Sequence, residues 1–200
     1  SRRIAWIVWA MGYIAGADVL WRMCESALPY ESAKYGICIL TIITLVRMHR
    51  YALPRLAICY LVLLLPGLMV AYNSLSGEGL RAGLSFNFSG PLSLCFAICF
   101  FANISLTREE WKIALLAVIS PIMGIITIAA HGVFTNPDIQ FATESVHDAS
   151  GGFGPNQVSA ILGLGALLAV HYVMNSKNIF KQIVLLGVAV VFIMQAAFTF

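Results

Sequence analysis

Apolar residues run along this chain in blocks long enough to cross a bilayer, separated by shorter polar stretches. A transmembrane helix needs about 20 predominantly apolar residues. Blocks near 4–22, 34–48, 56–73, 90–106, 112–132, 156–174 and 180–200 meet or approach that length, and the second can begin a turn earlier. The pattern predicts an all-α fold: a polytopic transmembrane helical bundle of about seven spans, forming a single domain over 1–200. Pro66 and Pro121 fall inside the third and fifth blocks. In lipid such prolines kink a helix, and neighbouring groups satisfy the freed carbonyls. Two longer interruptions, about 74–89 and 133–155, read as the main loops.

Composition strengthens the membrane reading. The chain is 60% hydrophobic and 10% charged, with a mean hydropathy of +0.87. Soluble domains carry roughly 25% charged residues. Arg2 and Arg3 precede the first block, but that block leads into Asp18, Trp21 and Arg22 and not to a small-residue cleavage site. The chain starts at Ser1 and stops at Phe200 inside an apolar run, so it is expected to be a fragment of a longer protein.

Charge then sets the direction of the spans. With the N-terminus cytoplasmic, the inner segments hold Arg2, Arg3, Arg47, Arg50, Arg55, Arg108, Lys112, Lys177 and Lys181. The outer ones hold only Arg22, Lys34 and Arg81. The positive-inside rule favours this orientation. Both long loops then face outward, and the inner loops read as plain connectors.

The most informative polar stretch is Gly151-Gly152-Phe153-Gly154-Pro155-Asn156-Gln157-Val158-Ser159, where the second loop meets the sixth span. Glycines tolerate positive φ and close backbone approach, and Pro155 suits a first helical turn. Gly152, Gly154, Pro155, Asn156, Gln157 and Ser159 are therefore candidate binding residues. Polar groups at a span mouth are costly enough to suggest a use, and a helix N-terminus favours anions. The competing reading is a simple helix cap. Arg81, the one cation of the first loop, is a candidate phosphate contact or a solvated charge. Asp18 and Arg22, four apart, form either an ion pair or part of a polar cavity. His147, near Glu144 and Asp148, can exchange protons near neutral pH or simply sit in solvent.

Other chemistry finds little footing. Cys24, Cys38, Cys59, Cys95 and Cys99 contain no CxxC pair, and Cys95 and Cys99 share one helix face. They read as packing residues, with no metal site or cofactor expected. Asn87-Phe88-Ser89 and Asn103-Ile104-Ser105 match the glycosylation triplet, the second inside an expected span, and read as chance matches. Zinc-protease, phosphate-loop, nucleophile-elbow and dinucleotide motifs do not occur, and no basic aromatic patch points to nucleic acid.

The stretch from Gly152 to Ser159, followed by Ala160-Ile161-Leu162-Gly163-Leu164-Gly165, resembles the O-antigen ligase family, which includes polysaccharide polymerases. Arg81 with Phe86-Asn87-Phe88-Ser89-Gly90-Pro91-Leu92 is similar to an earlier segment of that family. The terminal Ala197-Phe198-Thr199-Phe200 is similar to the approach to its Ser-Arg-Gly-Gly segment. The resemblance implies a metal-independent, inverting glycosyltransferase of the bacterial inner membrane. Such enzymes take a glycan from an undecaprenyl diphosphate carrier on the periplasmic side. They pass it to lipid A-core, to another glycan or to protein. It implies diphosphate contact by Arg81, supported by Asn156 and Gln157. The family's histidine belongs to a large later loop, so His147, which precedes the motif, is not its counterpart. A transporter or flippase for an anionic lipid or sugar, and a non-catalytic membrane scaffold, remain the alternatives at this point.

Overall fold

The computed structural model describes residues 2–48, 53–74, 77–135 and 147–199. Among them are seven α-helices: α1 (Arg2–Met23), α2 (Ser32–Met48), α3 (Arg55–Ser74), α4 (Gly77–Ala102), α5 (Arg108–Thr135), α6 (Pro155–Asn175) and α7 (Ile179–Thr199). A short 3-10 turn, Asp148–Ser150, stands between α5 and α6, and the described residues contain no strand. Six helices are long and apolar enough to cross a membrane; α2, with 17 residues, is the shorter one. Many large apolar side chains remain exposed, among them Leu63, Phe180 and Ile183. A helix apolar around its whole circumference needs lipid or protein on every side. The molecule is an all-helical, multi-pass membrane protein.

One expected loop is helical. The segment 74–89 reads as an outer loop, an interruption between two apolar blocks, yet α4 begins at Gly77. Glycine lowers helix propensity by about 1 kcal/mol. Leu80, Leu84, Phe88 and Leu92 recur every four residues, however, and are all at least partly buried. Packing of that stripe outweighs the local preference. Arg81 is therefore a helix residue, and Pro91 lies inside α4. At its other end α4 stops at Ala102, short of the expected 106. Helices α3 and α5 continue through Pro66 and Pro121.

The chain divides into two compact units. The first is Pro29–Leu106, and the second joins Arg2–Leu28 to Thr107–Phe200. In the first, α4 packs against both α2 and α3. In the second, α1 lies along α5, α6 and α7 form a hairpin, and α5 also meets α6. Its core centres on Ile122, Ile125, Val158, Leu162 and Phe192. Small residues allow the closest approaches, as is usual between helices in lipid. A Cβ on Gly16 would collide with the Val118 carbonyl and lie 2.8 Å from Pro121 Cγ. One on Gly165 would lie 2.8 Å from the Phe192 ring.

Candidate functional site

In the second unit, Gly151 and Gly152 both have positive φ, 69° and 77°. They close a tight turn in which the Gly152 N–H donates to the His147 carbonyl at 3.0 Å. A side chain would be strained at both positions. Gly154 differs from these two. Its φ is −53°, and an added Cβ would meet only Gln157, at 3.7 Å. It is the N-cap of α6, and Pro155 follows, buried, in the first turn. The N–H groups of Gln157 and Val158 return to the Gly154 carbonyl, at 3.0 and 3.2 Å.

The turn is held from two sides. The Ser150 hydroxyl is buried between the carbonyls of His147 (2.7 Å) and Phe153. Buried Gln195 of α7 donates its side-chain amide to the Ala149 carbonyl at 3.0 Å. His147 and Asp148 are exposed, and their backbone carbonyls are what organise the turn. A surface hollow of about 320 Å³ opens beside Gly151 and Gly152, lined also by His131, Thr135 and Asp148. Asp138, Phe141 and Glu144, in 136–146, and His49 and Arg50, in 49–52, lie outside the described residues.

Arg22 joins this motif from α1. Its Nη2 is 2.5 Å from the Asp18 carboxylate, and its Nη1 donates to Gln157 Oε1 at 3.1 Å. The Arg22 side chain is 12% exposed. α1 ends at Met23, just beyond it, and Glu25, with a left-handed φ of 48°, closes the helix. There Ser26 N–H donates to the Trp21 carbonyl and Glu25 N–H to the Arg22 carbonyl, at 3.0 and 3.1 Å, the pattern of a Schellman stop. The structure thus gathers Arg22, Asp18 and Gln157 at the α6 N-terminus. Asn156 is exposed beside them and Ser159 is half-buried.

Arg81 belongs to the first unit. It is exposed on α4 and lines a groove of about 610 Å³ together with Tyr30, Leu84, Phe88 and Leu92. The same groove reaches Glu31 and Ser89. Buried Glu31 pairs with Lys34 at 2.5 Å and accepts the Ser89 hydroxyl at 2.7 Å. Lys34 also donates to Ser89 Oγ at 3.3 Å. The sequence marks Lys34 only as an outer charge. The i, i+3 spacing of Glu31 and Lys34 was the available signal, whereas Ser89 lies 58 residues from Glu31.

Comparison of the chain with protein-family models, curated proteins and solved structures finds no match. The site is therefore described by its own chemistry. Among the described residues, no group of three His, Cys, Asp or Glu side chains could hold a metal ion. What the two units offer is an Arg22–Asp18 ion pair bound to the first turn of a helix in one, and exposed Arg81 lining a largely apolar groove in the other. The groove suits an anionic ligand that carries a hydrocarbon part.

Proposed function

We propose that this chain is part of a glycosyltransferase of the O-antigen ligase type, metal-independent and inverting. It moves a glycan from an undecaprenyl diphosphate carrier to lipid A-core or another glycan, on the periplasmic face of the bacterial inner membrane. The observation that carries this reading is the Arg81 groove. Exposed Arg81 lines it together with Leu84, Phe88 and Leu92. A lipid diphosphate has the same division between charge and hydrocarbon. An arginine can grip phosphate oxygens with two parallel N–H donors. Negative charge grows on the diphosphate as it leaves the sugar, so a positioned cation favours the transition state over the ground state.

The glycine-rich motif has a separate, positioning part in this reading. Its α6 N-terminus carries the positive end of the helix dipole, and Arg22, ion-paired with Asp18, donates to Gln157 and fixes that side chain in the first turn. The test uses the full-length protein in proteoliposomes supplied with undecaprenyl diphosphate-linked glycan. Arg81→Ala is expected to lower glycan transfer by about a hundredfold or more with membrane abundance unchanged. Arg81→Lys should retain part of the activity. Normal transfer by Arg81→Ala overturns the proposal. Uptake of sugar into the lumen without any transfer overturns it in favour of a transporter.

A further inference from the structure

The opposite end of the second unit carries a built basic pocket of about 620 Å³, lined by Arg108, Trp111 and Lys112 of α5, His171 and Asn175 of α6, and Lys177 in the α6–α7 turn, with Glu109. The sequence reads the α6–α7 turn as a plain connector. The carboxylates at the start of α5 are already engaged. Glu109 binds Lys112 at 2.9 Å. Glu110 accepts the Thr107 N–H at 2.9 Å, while the Thr107 hydroxyl oxygen accepts the Glu110 N–H at 3.3 Å. That reciprocal pair is a capping box. Arg108 and Lys177 have no ion-pair partner among the described residues, and Lys181 lies close enough to act on Glu109.

The turn is fixed in place as well. Gln182 Nε2 donates to the Ser176 carbonyl at 2.7 Å, Asn178 Oδ1 accepts the Lys181 N–H at 3.2 Å, and Asn175 Nδ2 donates to the His171 carbonyl at 2.9 Å. One turn further along the same helices, Leu116 follows Lys112 and Leu167 precedes His171, both exposed. Trp111 is 43% exposed beside the charges, the setting that tryptophan favours at a membrane–water boundary.

We propose that this pocket binds the phosphate of an anionic glycerophospholipid, with the acyl chains lying against Leu116 and Leu167. Unpaired cations supply the attraction, the exposed apolar side chains select a lipid over a free ion, and basic pockets between helix ends are the known setting for such headgroups. The inference is independent of the glycan-transfer reading.

The test is native mass spectrometry of the full-length protein extracted from phosphatidylcholine vesicles with and without phosphatidylglycerol. Wild type is expected to retain phosphatidylglycerol selectively. Arg108→Gln with Lys177→Gln should weaken retention roughly thirtyfold, while Arg108→Lys with Lys177→Arg should preserve most of it. Equal retention of both lipids overturns the proposal, as does unchanged binding by the double glutamine variant. Displacement by equimolar inorganic phosphate also overturns it, by showing a free-phosphate site. Should the glutamine variant not fold, a photoreactive phosphatidylglycerol decides on wild type: attachment at Trp111 or His171 supports the site, and attachment only elsewhere overturns it.

Discussion

The guanidinium of Arg22 donates to the side-chain oxygen of Gln157 at 3.1 Å, across 135 residues of chain. It joins the end of α1 to the first turn of α6, and Asp18 anchors it from below at 2.5 Å. Arg22→Met should therefore do more than remove a surface charge. It leaves the Asp18 carboxylate, 23% exposed, without its cation. Hydrogen bonds to charged groups contribute about 1.5–3 kcal/mol, so a loss of about 2 kcal/mol is expected. Thermal unfolding of the detergent-solubilised full-length protein measures it. Asp18→Asn combined with Arg22→Met should recover part of the loss, because the stranded charge is gone; strictly additive losses would show that the pair is uncoupled.

At Gly16, α1 approaches α5 too closely for a side chain. Gly16→Val places branched carbon against the Val118 carbonyl and Pro121. Neither is the far end of a flexible side chain, so the helices must separate. Overpacking of this kind costs about 1–3 kcal/mol. Gly163→Ala is the control, since nothing lies within 4 Å of its added Cβ. The same unfolding measurement should show a clear drop for Gly16→Val and almost none for Gly163→Ala. Equal behaviour of the two would contradict this packing.

Lys34→Met tests the buried network of the first unit. The Glu31 side chain is 8% exposed, and Lys34 is its ion-pair partner. Removing one member of a buried pair costs about 3–5 kcal/mol, whereas replacing both with apolar groups can be neutral. Lys34→Met alone should destabilise strongly, and Glu31→Met with Lys34→Met should be much milder. If the single variant unfolds at the wild-type temperature, the network contributes nothing to stability.

Some of the candidate site was legible because it is local. Pro155 at the start of α6, after a capping glycine, follows from backbone sterics alone. Gly151 and Gly152 were legible as a turn for the same reason. Gly154 fits the helix-cap reading: at φ −53° the N-cap position makes no demand for glycine. Gln195 was passed over inside an apolar run, although a polar residue in a span is itself a signal. Its partner, the Ala149 carbonyl, leaves no mark in the side-chain sequence.

By itself the sequence determined that this is a multi-pass helical membrane protein. In lipid the backbone must satisfy its own hydrogen bonds, so each long apolar run has to become a helix wherever it packs. The same locality placed the G-P-N-Q turn at a helix mouth. Tertiary structure decided what depends on residues far apart. Packing of Leu80, Leu84, Phe88 and Leu92 made 77–89 helical against its glycines. The folding of α1 beside α5 and α6 brought Arg22 to Gln157, and the pairing of α2 with α4 closed Ser89 onto Glu31 and Lys34. Hydrogen bonds and ion pairs act over a few ångströms, and only the fold sets which groups come that close.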